Sequence, residues 1–287
     1  MSKFYAQTFA GFSLLILCLV GTTVVVKADD PKPEEIIAKH LESIGTKEKR
    51  EAAKNRMAAG TSQFESKLPN RKTTGKALIV SEAANNLMFI SSFSSKEYPF
   101  EKIGLFADKV DLPFVTAGTK SPLGLFIADH NKILSEGLFA GSISTTWSLL
   151  NPQIKKEKFA SAGGKKIDGR KTYALSYYPG GSSAAFTVKL FFDAETFRHV
   201  RTEYRHVISP KEQNMGTLGE QNGVKIGLTE SFADFKNADG LTLPHSYKAH
   251  YVTDSNSGTY EYEWTIAINQ YLFNQKLAPG FFSFDEK

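Results

Sequence analysis

Phe186-Thr187-Val188-Lys189-Leu190-Phe191-Phe192-Asp193, Val200-Arg201-Thr202-Glu203-Tyr204 and Tyr260-Glu261-Tyr262-Glu263-Trp264-Thr265-Ile266-Ala267-Ile268 share one pattern, in which apolar or aromatic residues alternate with polar ones. Successive side chains of a strand point to opposite faces, so each run writes a strand with one apolar and one polar side. Turn residues separate such runs throughout Arg170–Asn269. Short connections between consecutive strands imply antiparallel neighbours, and the segment reads as a meander. Its aromatic face has to be covered or has to cover something else. A long meander curls until it closes or is capped.

The pattern extends around this core. Strands are expected at 154–160, 171–178, 184–193, 197–208, 224–234, 241–251 and 258–269, with tight turns at Asp193–Thr196 and Asn237–Gly240. Earlier runs fall at 60–67, 75–82, 86–93, 101–107 and 110–116, and Pro113 makes the last an edge strand or no strand. Both parities of Leu78-Ile79-Val80 are apolar, which leaves the buried face of the early strands open. Ser209–Gly223 is polar and glycine-rich and reads as a hairpin tip. Before the strands, Pro31-Lys32-Pro33 leads into an amphipathic helix over 34–44, with Ile37, Leu41 and Ile44 at helical spacing and Gly45 as a stop. The charged 46–55 segment adds a helical turn. Between the two meanders, Ser121–Asn151 carries only Asp129, Lys132 and Glu136 as charges, and its glycines and proline break it into helical pieces at 123–129 and 142–150. Such a segment lies across the apolar sheet face, either as permanent core or as a movable lid.

The first 28 residues read as an export signal, with Lys3 in a basic head, an apolar run from Phe9 to Val26, and Val26-Lys27-Ala28 as the cleavage site. The alternative is an inner-membrane anchor through residues 8–26, which is just long enough to span. Cleavage leaves a periplasmic domain over 29–287 with no cysteine, so disulfides and thiol catalysis are both excluded. Its net charge falls from +5 to +3 as Lys3 and Lys27 leave, and the basic residues are dispersed, which argues against a nucleic-acid partner. No linker divides the domain. It is read as a helix and lead-in over 29–55, a first meander over 56–117, an insert over 118–152 and a second meander with tail over 153–287.

No local motif carries chemistry. The chain lacks Gly-x-Ser-x-Gly, His-Glu-x-x-His, a phosphate-binding glycine loop and a cysteine pair, so no catalytic residue, metal or cofactor is assigned. Of His40, His130, His199, His206, His245 and His250, no two stand at helical ligand spacing, and only His206 and His245 are read as a pair able to meet across the sheet. Glu261 and Glu263 mark a solvated face. Arg198, Arg201 and Arg205 with Lys189 read as a solubilising surface, the alternative being a patch for an anionic headgroup.

Gly137-Leu138-Phe139-Ala140-Gly141, Leu190–Arg198, Asp239-Gly240-Leu241-Thr242-Leu243-Pro244 and Asn274-Gln275 before Phe281-Phe282 give the mature chain a resemblance to the LolA/LolB-like superfamily of periplasmic lipoprotein carriers, which includes RseB-type sensors. The resemblance implies a mainly β, α+β fold: an unclosed antiparallel half-barrel capped by the N-terminal helix and the central helical insert. It implies a non-enzymatic binder of lipid or lipoprotein acyl chains, with transient membrane contact and an envelope transporter or receptor as protein partner. Its alternative is an envelope sensor using the same half-barrel to bind a protein. The cavity walls are then expected from Phe89, Phe93, Leu105, Phe186, Val188, Leu190, Tyr260, Tyr262, Trp264 and Ile266. The lid is expected from Ile37 and Leu41 of the first helix and from Phe126, Ile127, Leu134, Phe139 and Trp147 of the insert.

Intact mass of the protein recovered from its own envelope distinguishes export from anchoring. The expected species begins at Asp29, and a mass that retains residues 1–28 shows an anchor instead.

Overall fold

The first and last strands of the fold pair with each other. A computed structural model of the chain describes residues 30–83, 85–150, 158–180, 185–208 and 223–284; residues 1–28, expected to be an export signal, and most of the polar 209–223 stretch lie outside them. The first meander comprises β1 (Asn55–Lys67), β2 (Asn70–Glu82), β3 (Asn86–Phe93), β4 (Phe100–Phe106) and β5 (Lys109–Asp111). The second comprises β6 (Phe159–Ser161), β7 (Lys166–Ile167), β8 (Arg170–Tyr177), β9 (Phe186–Asp193), β10 (His199–Ile208), β11 (Val224–Ala238), β12 (Leu241–Ser255) and β13 (Gly258–Phe273). These described strands form one open antiparallel sheet in the order β5-β4-β3-β2-β1-β13-β12-β11-β10-β9-β8-β6, with β7 alongside β8. The β1–β13 pair is the seam between the meanders, with Phe64 opposite Trp264.

Turn chemistry sets the registers. Asp239 (φ 52°) and Gly240 (φ 83°) form the two-residue left-handed loop that joins β11 to β12, and Asn237 accepts the Gly240 N–H. At Asp193–Thr196, the Asp193 carboxylate accepts the N–H groups of Glu195 and Thr196 and the Thr196 hydroxyl.

One face of the sheet is apolar from edge to edge. Phe64, Ile79, Phe89, Ile103, Leu190, Leu228, Tyr247 and Trp264 all point into a single buried cluster. The other face is mostly polar, as Glu261 and Glu263 show: the first meets Lys67 and His250, the second Lys248. Two outer patches are also covered. The C-terminal tail lays Phe281, Phe282 and Phe284 over Val80 and Met88, so β2 and β3 are apolar on both sides and the double parity of Leu78-Ile79-Val80 is explained. Around β7, Ile167 and Ala174 cover Phe191, while its neighbour Phe192 faces inward.

Helix α1 (Pro33–Ile44) docks on the inner side, and α2 (Lys47–Ala52), capped by Thr46, follows it. The buried stripe of α1 is Ile36, His40 and Ile44, one residue round from the expected stripe, with Ile37 and Leu41 half-buried at its edge. Two further expectations are corrected. The run at 110–116 is a strand only over Lys109–Asp111, because Pro113 cannot donate to a ladder. The helix expected over 142–150 is two 3-10 turns, at Gly141–Ile143 and Ser148–Leu150, and α4 (Lys132–Ser135) is a turn of helix the pattern does not announce. Of the strand expected over 154–160, residues 154–157 lie outside the described ones, and β6 runs from Phe159 to Ser161. No helix among the described residues is long and apolar enough to cross a membrane.

Gly60 stands at the one irregularity of the seam, where the register shifts between Ala59 and Gly60. A Cβ there would lie 1.9 Å from the Ala267 carbonyl oxygen, so the two backbones can approach only because the residue has no side chain. Gly60→Ala is expected to cost about 2 kcal/mol or more in urea denaturation, the scale of an overpacked core. Unchanged stability would show that the seam yields freely.

Candidate functional site

The concave face is filled by the insert. Its first helix, α3 (Pro122–Asp129), buries Leu123, Phe126 and Ile127. After α4, the chain turns through Gly137 (φ 65°), Ala140 (φ 64°) and Gly141 (φ 47°). A Cβ on Gly137 would sit 1.9 Å from the Thr146 oxygen, and one on Gly141 within about 3 Å of Phe232 and His199. This left-handed turn drives Leu138, Phe139 and Trp147 into the sheet, where none is accessible to solvent. Phe139 packs edge-on to Phe89, and Phe126 edge-on to Tyr251.

A buried segment with so little regular structure must find partners for its backbone outside itself. The sheet supplies them through polar residues that point inward. Arg56, on β1, donates through Nη1 to the carbonyl oxygens of Ser142 (2.6 Å) and Ile143 (3.2 Å). It is 2% exposed, and burial pulls its guanidinium down to about 10. Glu230, on β11, accepts the Ala140 N–H at 2.8 Å and lies 2.7 Å from the Tyr204 hydroxyl and 2.8 Å from that of Tyr247. Glu101, on β4, accepts from Tyr98 and from Ser121, and Ser121 also caps α3 by accepting the Gly124 N–H. Ser81 accepts the Thr145 N–H at 2.8 Å.

Helix α1 is tied into the same system. The Trp147 indole donates to His40 Nε2 at 3.0 Å, so His40 carries its proton on Nδ1 and donates it to the Phe197 carbonyl at 3.0 Å. Burial holds His40 down to about 4, which keeps it neutral and able to accept. Trp147 also stacks on His199 at 4.7 Å.

Glu230 has a geometry that favours a neutral acid. The Tyr204 hydroxyl has one proton and two acceptors in reach, Glu230 Oε2 and the Leu138 carbonyl at 3.2 Å. A protonated Oε2 donates to Tyr204, and Tyr204 then donates to Leu138, satisfying every group. Burial correspondingly pushes Glu230 up to about 7, and Glu101 likewise.

Of the residues expected as walls, all but Tyr260 are on the covered face, and Tyr260 is corrected because it lies near the start of β13, beyond the cover. Phe89, Phe93, Leu105, Phe186, Val188, Leu190, Trp264 and Ile266 are buried in the inner cluster, Tyr262 is packed against it, and Tyr260 is 39% exposed. Of the lid residues, Phe126, Ile127, Leu134, Phe139 and Trp147 of the insert are buried in the inner cluster, with Ile37 and Leu41 at the margin. His206 and His245 do not meet: His206 is opposite Ile226 of β11 and near His130, whereas His245 packs on Tyr271. Arg201 and Arg205 flank Glu203 together with Lys165 on the outer face. Arg56, Glu101 and Glu230 are missing from the sequence reading. Each stands in phase with apolar neighbours, as Glu230 does between Leu228 and Phe232, and a charge on the apolar parity was the available signal.

No family model matches the chain, and no curated protein matches it. Among solved structures it is similar to the LolA superfamily protein NE2245 from Nitrosomonas europaea, at 12% identity over 88% of this chain and 98% of that one, with a TM-score of 0.44. A DUF1329 family protein from Desulfovibrio piger shows 10% identity over 88% and 97% of the two chains, TM-score 0.44. A domain assigned to outer membrane lipoprotein sorting in Vibrio parahaemolyticus shows 12% identity over 87% and 97%, TM-score 0.42. Each is a likeness of fold at low identity.

Glu230→Gln tests the neutral acid, because a glutamine amide can donate to Tyr204 while its oxygen accepts from Ala140 and Tyr247. A carboxyl raised from 4.5 to about 7 keeps its proton in the folded protein after the unfolded chain has lost it, so stability falls as pH rises between those values. His40, lowered from 6.5 to about 4, acts in the opposite sense and cancels in the comparison. Relative to Glu230→Gln, the wild type is expected to lose on the order of 3 kcal/mol in urea denaturation between about pH 4.5 and 7.5. A difference that does not change with pH would show that Glu230 ionises normally.

Proposed function

We propose that the protein is an exported, non-enzymatic binder of acyl chains in the cell envelope, in which the insert and the ligand occupy the same apolar face in turn. One observation carries this reading: the inner face is covered by an irregular segment fastened at a few points, where a sandwich would use a second sheet. Arg56, Glu230, Glu101, Ser81 and His40 are those points.

The chemistry fits an apolar guest. A lipid crossing an aqueous compartment gains about 0.8 kcal/mol per methylene on burial, so an apolar host is what it requires. The face beneath the insert is aromatic and aliphatic, and its two inward carboxyl groups, Glu101 and Glu230, are already engaged with serine, backbone or tyrosine. Glu101 and Glu230 hold structure in place, and neither stands beside a nucleophile in an open cleft. Opening exchanges the contacts of Phe126, Phe139 and Trp147 for contacts with the ligand. Arg56 is the fastener whose loss frees most, since each hydrogen bond to a charged group is worth about 1.5–3 kcal/mol.

A reversible lock tests the exchange. Ser81 Oγ and Thr145 Oγ1 are 3.1 Å apart across the junction of sheet and insert, and the mature chain has no other cysteine to interfere. In the Ser81→Cys, Thr145→Cys protein, oxidation is expected to reduce uptake of an uncharged fluorescent acyl ester by about tenfold or more, as loss of a buried apolar contact area implies. Reduction should restore it. Equal uptake by the oxidised and reduced forms would overturn the reading.

A further inference from the structure

A second pocket lies outside the covered face, where α1, α2, the start of β1 and the end of the insert meet. It encloses about 510 Å³, which is within the range of small-molecule sites. Its two kinds of wall are distinct. Leu41, Leu149 and Leu150 are apolar, and Arg50, Lys54 and Arg56 bring positive charge. The single carboxylate on the lining, Glu51, stands 3.8 Å from Lys47 and is matched by it. Arg50 is already occupied with the carbonyl oxygens of Leu41 and Gly45 at the end of α1.

The other two cations pair with no carboxylate among the described residues: Lys54 is exposed, and Arg56 holds the Ser142 and Ile143 carbonyls and lies 5.7 Å from the Phe273 ring. The Lys54 ammonium has no partner among the described residues, although the backbone of Lys54 is fixed by the Asn274 side chain at 2.8 Å. Arg56 is 2% exposed, pairs with no carboxylate among the described residues, and leaves its Nε buried without a hydrogen-bond partner. A buried guanidinium is costly unless its charge and all its N–H groups are matched, and its planar fork is shaped to take a carboxylate or phosphate. What Arg56 lacks is a countercharge, and an oxyanion in the pocket that it lines would supply one. A free inorganic anion would leave the leucine wall unused.

From these observations we infer that this pocket binds the anionic head of a single-chain amphiphile, a carboxylate or phosphate ester, with the first part of its chain lying on Leu41, Leu149 and Leu150. The site goes beyond the proposed exchange under the insert and shares with it only Arg56 and the end of the insert. The oxyanion sits between Arg56 and Lys54. The chain leaves along the gap between α1 and the last turn of the insert.

Isothermal titration of the mature protein with decanoate and decyl phosphate is expected to show binding. Decyltrimethylammonium, with the same chain and the opposite charge, should bind about tenfold more weakly or worse, because two cations face the head at close range. Lys54→Glu should weaken decyl phosphate by about tenfold or more, since it reverses one of those charges without removing any contact of the fold. Inorganic phosphate binding as tightly as decyl phosphate would identify a free oxyanion as the ligand and overturn the amphiphile. Unchanged affinity in Lys54→Glu, or equal affinity for the cationic probe, would overturn the site. Lys54→Glu should leave uptake of the uncharged acyl ester unchanged, because the exposed Lys54 lies outside the covered face. A parallel loss of that uptake would place the probes on the concave face, which separates failure of this site from failure of the acyl-exchange reading.

Discussion

Irregular backbone can be buried only if each of its amides and carbonyls finds a partner, and the inside of this protein is arranged around that requirement. The sheet needs a cover for its apolar face, and the chain takes the cover from its own middle. Because glycines and a proline break the insert into pieces, its peptide groups cannot satisfy one another as those of a helix would. The sheet therefore carries charge inward where a plain core would carry leucine. Arg56 takes two carbonyls, Glu230 takes an amide, and Glu101 holds the serine that caps α3. His40 closes the system from the helix side, acting through Trp147.

This arrangement separates what fills the concave face from what holds it. Filling comes from large side chains such as Phe139 and Trp147, which are interchangeable in kind with any apolar guest of similar volume. Holding comes from directional bonds that a lipid cannot imitate. A cover of this sort is specific in position yet replaceable in substance. A second sheet would be neither, since its own ladder would have to be taken apart to remove it.

The legibility of the sequence follows the same division. Alternation in β9, β10 and β13 gave the one-faced sheet, because one side of those strands meets solvent and the other the core. It failed at Leu78-Ile79-Val80 and at Phe191-Phe192 for one reason: a distant segment covers the outer face there, the C-terminal tail in one case and the β7 turn in the other. The 3-10 turns at 141–143 and 148–150 were read as helix because low charge and apolar content look alike in both. What breaks the helix is the left-handed run through Ala140 and Gly141, and alanine carries no mark of it. The inward charges were visible as parity violations. Their purpose was not, since the backbone groups they serve lie 86 residues away for Arg56 and 90 for Glu230.

The seam between β1 and β13 has a consequence for the order in which the molecule is completed. Each meander can zip by local hairpins, but the centre of the sheet joins Arg56 to Phe273 and Ser66 to Tyr262. Long-range pairing of this kind is slow because the loop entropy is lost before the contacts form. A chain made from its N-terminus cannot finish the middle of this sheet until Gly258–Phe273 is available. The strand that begins the domain waits for the one that ends it.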